Sequence, residues 1–312
     1  SVLFFMSIFP FSPEAEQDDL VPLSKEYPIG YEYWWSEGLY NQLAWGANEL
    51  NRGYYLWRAG DVSTWTLADN SMVMIEPTIN AGTAGLQNFF TKISGKKDWE
   101  ASVNQNGFFK TYFDLYGYPF DLATEPLFPA SLEQPWLQLP FAEGEIWAFT
   151  GGPHDGWDTG SPWSALDFAP PGEPDGCSPS EAWVVAVADG IIIYAEGGIV
   201  LLDLDGDGYE QTGWTVFYMH IENRDRISAG TQVKAGDRIG HPSCEGGVAT
   251  AAHVHLARKY NGEWIPATGN FPFSLDRWII FGTDIQYGGY LQRDDKRVKA
   301  WAGFSNYNQI QR

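Results

Sequence analysis

Trp183-Val-Val-Ala-Val-Ala188, Gly190-Ile-Ile-Ile-Tyr-Ala195, Ile199-Val-Leu-Leu-Asp203 and Gly213-Trp-Thr-Val-Phe-Tyr-Met-His220 follow one another with Gly/Asp turns between them. Each run is short, rich in β-branched and aromatic residues, and bounded by turn formers, the pattern of strands joined by hairpins. This part of the chain is expected to be an antiparallel β-domain. Upstream, Pro119, Pro126, Pro129, Pro135 and Pro140 interrupt any continuous regular element and mark an ordered linker, which puts a domain boundary near residue 130.

Ahead of the linker the period changes. Leu39, Leu43, Ala47 and Leu50 share one helical face, with Gly53 as the expected stop. Two further helices are expected over Asn80–Ile93 and Lys97–Tyr116, both weakened by Gly and Asn. The fold class is therefore α+β: a mainly helical domain over 1–130, an antiparallel all-β domain over 131–268, and an extension over 269–312 packed on the β-domain. No internal repeat or low-complexity tract is present.

The 312 residues suit about two domains, and 44% apolar composition is ample for burial. Acids outnumber bases by 40 to 19, giving a formal charge of -21. Nucleic acid and anionic lipid are poor partners for such a surface, because the Lys/Arg clusters that neutralise phosphate are missing. Aromatic residues reach 16% and serve mainly as packing, as in Gly30-Tyr-Glu-Tyr-Trp-Trp35. Cys177 and Cys244, with no CxxC spacing, fit one structural disulfide and a compartment outside the cytoplasm.

The opening Ser1-Val-Leu-Phe-Phe-Met-Ser-Ile-Phe-Pro-Phe11 is apolar but too short to span a bilayer, and it lacks the basic start of a signal peptide. It is expected to pack as a strand on its own domain or to support self-assembly through residues 1–12.

All 5 histidines fall between His154 and His255. In His253-Val-His255 the imidazoles are two apart, so a strand turns both to one face. A catalytic zinc needs three protein ligands and an open fourth position, and it accepts imidazole together with carboxylate. His154, Asp167 and one histidine of the pair can supply that set. Asp158 offers a shorter gap from His154 and is the other candidate carboxylate. His241, in Gly-His-Pro-Ser-Cys, is a turn histidine or a contact at the rim of the site.

Over about 135–266 the pieces stand in a familiar order: Leu137-Gln-Leu-Pro-Phe-Ala-Glu-Gly-Glu-Ile-Trp147, Gly151-Gly-Pro-His154, Ser164-Ala-Leu-Asp167-Phe-Ala169, Tyr218-Met-His220, Val233-Lys-Ala-Gly-Asp-Arg-Ile-Gly240 and Cys244-Glu-Gly-Gly leading to His253-Val-His255. The chain resembles the lysostaphin/LytM-type zinc metallopeptidases that cut peptidoglycan, and among them the beta-lytic, staphylolytic branch. The resemblance implies Zn²⁺ on His154, Asp167 and His255, with His253 and His220 as catalytic groups facing the attacking water and the scissile carbonyl. It also implies that Cys177 and Cys244 tie two loops bordering the cleft. The run Ala251-Ala252-His253-Val254-His255-Leu256-Ala257 departs from the family's Gly-Pro-His-Leu-His-Phe, which bears on substrate preference.

Asp203-Leu-Asp205-Gly-Asp207-Gly-Tyr-Glu210 matches the start of a calcium loop, with carboxylates at alternate positions and Gly208 for the tight turn. Its twelfth position is Trp214, so it is not an EF-hand. The expectation is either Ca²⁺ on Asp203, Asp205, Asp207 and Glu210 or a plain acidic hairpin tip.

Taken together, the expectation is an extracellular or envelope zinc endopeptidase of bacterial origin acting on Gly- or Ala-containing cross-links of cell wall. The alternative is an extracellular scaffold or filament subunit that keeps a latent or inactive peptidase fold.

Overall fold

The structure is a computed structural model that describes residues 26–119, 128–157, 161–172, 176–210 and 212–312. The apolar segment 1–12 lies outside these residues. The described residues divide into two compact units, one of residues 26–119 with 161 and the other of residues 128–157, 162–172, 176–210 and 212–312.

In the first unit, helices α1 (Leu39–Ala59), α2 (Ala81–Thr91), α3 (Lys96–Val103) and α4 (Phe108–Tyr116) surround a core containing Trp45, Trp65, Phe89 and Trp99. Gly53 does not stop α1, which runs on to Gly60, where a left-handed cap (φ 78°) ends it. Packing explains the difference. A Cβ on Gly53 would lie 2.5 Å from Asn88 Cβ and 2.8 Å from Gly85 Cα, so this glycine lets α1 cross α2 backbone to backbone. The stretch expected as one helix from Lys97 to Tyr116 is two, because Asn104 leaves the helix and its side-chain oxygen accepts from the N–H of Asn106 and of Gly107. A small hairpin of β1 (Thr64–Thr66) and β2 (Met72–Met74) had no sequence signal, its strands being three residues each.

The second unit is antiparallel throughout its main sheet, whose strand order is β17-β3-β4-β11-β8-β7-β6-β9, with β12 added on β11. The strands that position the site are β3 (Ile146–Asp155), β4 (Trp163–Ala169), β8 (Trp214–Met219) and β11 (Val254–Tyr260). The remainder of this sheet is β6 (Gly190–Glu196), β7 (Ile199–Asp203), β9 (Gln232–Val233), β12 (Glu263–Trp264) and β17 (Gln309–Gln311). Of the run beginning at Trp183, only β5 (Val184–Val185) is a strand, and it pairs with β10 (Arg238–Gly240) outside the main sheet. The core beneath is aromatic: Phe141 stacks on Trp147 with centroids 5.0 Å apart, and Phe149 meets Phe168 at 5.6 Å.

After residue 269 a separate four-stranded sheet forms from β13 (Ser274–Leu275), β14 (Trp278–Gly282), β15 (Gly289–Arg293) and β16 (Lys296–Lys299), and β17 then returns to pair with β3. Fully buried Arg258, at the far end of β11, donates to the carbonyls of Phe271 at 2.7 Å and Pro266 at 3.2 Å. A buried guanidinium spared desolvation by carbonyl partners fixes the chain leaving β11.

Candidate metal centre

Register brings the cluster together. His255 at the start of β11 pairs directly with Asp167 on β4, and Asp167 pairs in turn with Gly151 on β3. Irregular register between Gly151 and Asp155 turns His154 back over the pair. Glycine is required beneath it, since a Cβ on Gly151 would stand 2.4 Å from Asp167 Oδ2. The result is three buried side chains with His154 Nε2 3.2 Å from Asp167 Oδ1, His255 Nδ1 3.4 Å from the same oxygen, and the two nitrogens 3.0 Å apart.

Backbone carbonyls set the tautomers. A carbonyl can only accept, so His154 carries its proton on Nδ1, donated to Gly152 O at 2.8 Å, and His255 on Nε2, donated to Gly156 O at 3.0 Å. His154 Nε2 and His255 Nδ1 therefore present lone pairs to each other and to Asp167 Oδ1, which has no hydrogen-bond partner. Three buried acceptors converging without a donor are unstable unless a cation lies among them. Their separations also suit one. The edge of a tetrahedron drawn around zinc with bonds of about 2.0–2.1 Å is about 3.3–3.4 Å. The residues fit that ion in number, type and spacing.

Burial disfavours the charged form of both ligand imidazoles. His255 is pushed below the ordinary histidine value, whereas in His154 the charge of Asp167 and the Gly152 carbonyl outweigh burial and raise it. Burial would raise Asp167, but the imidazoles of His154 and His253 hold its carboxyl well below the usual carboxylate range. Asp167 is thus held as a carboxylate, the form in which it can ligate a cation.

Beside the cluster stand His220 and His253, ring centroids 4.5 Å apart, with His253 Nε2 3.6 Å from Asp167 Oδ1. Each has its Nδ1–H engaged by a carbonyl, Glu245 O at 2.9 Å for His220 and Ala251 O at 2.8 Å for His253. Both Nε2 atoms are left as bases. Burial, then the neighbouring His253, lowers His220 to about 3, so it is neutral at physiological pH. His220 occupies a left-handed backbone conformation (φ 66°), uncommon for a residue with a side chain.

Tyr287, which carried no signal in the sequence, completes the surroundings. Its ring stacks on His154 with centroids 4.2 Å apart, while the Gly152 N–H donates to Tyr287 O at 2.9 Å and the Tyr287 N–H donates to Pro153 O at 3.0 Å. Gln286 donates to Asp155 Oδ2 at 2.9 Å. The loop between β14 and β15 thereby fastens the segment that carries His154. His241 is elsewhere, buried against Trp183 with its Nδ1–H on Ala182 O at 2.7 Å.

A disulfide joins Cys177 and Cys244, Cα atoms 5.6 Å apart. In the acidic turn the carboxylates of Asp203, Asp205 and Asp207 also converge. There, however, buried Asp203 already accepts the N–H groups of Asp205 at 3.1 Å, Gly206 at 3.3 Å and Gly208 at 2.8 Å. Glu210 is ion-paired with Lys259 at 3.2 Å.

Residues 169–266 match the model for peptidase family M23, a span that includes His220, His253 and His255 but begins after His154 and Asp167. Residues 18–129 match the model for the LasA N-terminal domain. Among solved structures, the M23 metalloprotease pseudoalterin from the deep sea is 23% identical, with a TM-score of 0.46 over 57% of this chain and 99% of that one. The catalytic domain of lysostaphin from Staphylococcus simulans is 25% identical, with a TM-score of 0.27 over 38% and 85%. A zinc-containing peptidase from Vibrio cholerae is 19% identical, with a TM-score of 0.33 over 45% and 41%. No curated protein sequence matches the chain.

Proposed function

We propose that this chain, whose residues 169–266 match the model for peptidase family M23, is a secreted zinc endopeptidase that hydrolyses Gly- or Ala-containing peptide cross-links of bacterial peptidoglycan. The observation that carries this reading is the convergence of three buried, donorless atoms, His154 Nε2, Asp167 Oδ1 and His255 Nδ1, with two further basic nitrogens at hand. Bound there, zinc supplies a Lewis acid for a water molecule and for the scissile carbonyl. His154, Asp167 and His255 hold it.

His220 and His253 do the proton work. With Nδ1–H fixed on a carbonyl, each leaves Nε2 as a base, and the histidine that takes the proton of the attacking water can then, as an imidazolium, donate to the developing oxyanion or return that proton to the leaving amine. Tyr287, by stacking on His154, keeps that ligand from rotating. The disulfide supports an extracellular or envelope location, and no helix among the described residues is long and apolar enough to cross a membrane. The helical unit over about 1–130 acts as an inhibitory, targeting or structural partner; deletion that raises activity supports inhibition, and unchanged or lost activity removes it. Calcium in the acidic turn is the part of the cofactor reading with least support, because its deepest carboxylate already accepts three backbone N–H groups.

The test is release of new amino termini from purified peptidoglycan by zinc-loaded protein, beside a chelated sample and His253→Ala. Release that disappears in both controls supports the reading. Absence of release with zinc bound at one per chain would sink it and favour the scaffold alternative.

A further inference from the structure

The bridge between Cys177 and Cys244 stands beside the two histidines that the proposed chemistry needs. Ser243, just before Cys244, donates its N–H to His220 O at 2.7 Å and its hydroxyl to the same oxygen at 3.1 Å, and it accepts the His253 N–H at 3.3 Å. Glu245, just after, offers the carbonyl that fixes the His220 tautomer. One residue either side of the half-cystine therefore holds both catalytic histidines.

This strap packs too closely to be placed by side chains. A Cβ on Gly246 would lie 2.5 Å from Gly197 O, one on Gly198 2.5 Å from Glu245 C, and one on Gly247 3.3 Å from the His220 ring. Beyond it, residues 247–252 form no strand or helix, and Val248 is 99% exposed. Gly176-Cys177 pins both ends of this irregular stretch, covalently at Cys244 and through the Ala252 N–H on Gly176 O at 3.2 Å. The three zinc-ligand positions depend on none of these contacts, being set by strand register and by the carbonyls of Gly152 and Gly156.

We propose that the Cys177–Cys244 bridge is a positioning device for His220 and His253, and that thiol reduction switches off hydrolysis while the metal stays bound. Cys177 is exposed and Cys244 half-buried, so a small dithiol can reach the bond. The dithiol's thiolate attacks one sulfur, the S–S bond breaks, and its second thiol resolves the mixed disulfide. Two electrons and two protons pass to the protein, leaving two cysteine thiols and a cyclic disulfide. The released strap then holds neither the His220 carbonyl partner nor the His253 backbone in register.

The inference rests on the peptidase reading, and its test separates the two. Zinc-loaded full-length protein is compared oxidised, reduced with dithiothreitol and reoxidised, beside the Cys177→Ser/Cys244→Ser double variant. Four quantities are measured: zinc per chain, thermal unfolding, the His220 tautomer by ¹⁵N NMR of the imidazole at fixed pH, and turnover of a peptide substrate. The expected result is unchanged zinc, a protein still folded at assay temperature, a His220 tautomer that becomes mixed, and kcat lower by about 100-fold with KM within about twofold, the size of effect that a misplacement of about 1 Å produces. Reoxidation restores both tautomer and rate. An unchanged tautomer with unchanged kcat overturns the proposal. So does unfolding on reduction, which would make the bridge a staple of the fold. If the oxidised protein shows no hydrolysis, the peptidase reading fails alone, and the tautomer still decides the role of the bridge.

Discussion

His154, Asp167 and His255 on one side and Asp203, Asp205 and Asp207 on the other are two clusters of metal-ligating groups on one sheet, each with its ligand atoms drawn together. They differ in what those atoms already hold. In the first cluster the backbone carbonyls take the imidazole protons and leave three lone pairs facing one another. In the second, Asp203 already accepts three backbone N–H groups, and Asp207 accepts the Tyr209 N–H and the Thr212 hydroxyl. Proximity of ligands is common to both, and the unmet acceptor is what separates a cation site from an acidic turn.

The largest effect expected is at Asp167. Asp167→Asn keeps the shape and removes the charge, and the amide nitrogen it introduces can donate to His154 Nε2, so the site closes on itself. Zinc content should fall from one per chain to near zero and peptide hydrolysis by more than about 1,000-fold, read by metal analysis and a turnover assay. Asp207→Asn should change neither quantity. Equal zinc loss in both variants would break the distinction drawn between the clusters.

His220→Ala sharpens the comparison within the first cluster, because it removes a base and leaves the ligands. A drop of about 100- to 10,000-fold in kcat with zinc still at one per chain is expected. Zinc loss instead would make His220 a ligand. Tyr287→Ala should act more weakly and through the metal: affinity lower by about 10- to 100-fold by competition with a chelator, with Tyr287→Phe restoring it, since the stacked ring and not the hydroxyl is in contact with His154.

The same contrast explains what was legible in the sequence. His253-Val-His255 could be assigned to one face because a strand repeats every two residues, although His253 stands just ahead of β11 in an isolated bridge to Ser243. Asp167 could be chosen over Asp158 through the resemblance, by its Leu-Asp-Phe-Ala setting. Long helices and hairpins were legible for the same reason. Gly53 misled, because its role lies in a helix crossing thirty-odd residues away at Gly85, which local propensity does not encode. Tyr287 was invisible: it reaches His154 through a loop of the C-terminal sheet, and no spacing in the chain announces that contact. In the acidic turn the motif was clear, whereas the direction of the neighbouring N–H groups, which decides its meaning, belongs to the folded backbone.

The smallest effect expected is at Asp205. A hydrogen bond from Asp203, with burial and the charge of Asp203 adding to it, raises its carboxyl above the ordinary aspartate value. The sign follows directly: the folded state holds this proton more tightly than the unfolded chain, so the side chain's contribution is most favourable below the unfolded pKa and is lost as pH rises through the raised value. At neutral pH the ionised pair is a small liability, and because Asp205 is exposed the effect is screened. Asp205→Asn should therefore unfold at the same temperature as the parent protein or about 1 °C higher, measured at pH 7 in chelator. Millimolar calcium should then move neither protein by more than that amount. A calcium-induced rise of several degrees in the parent that disappears in Asp205→Asn would show that an ion outcompetes the backbone N–H groups, and the acidic turn would join the histidine cluster as a cation site.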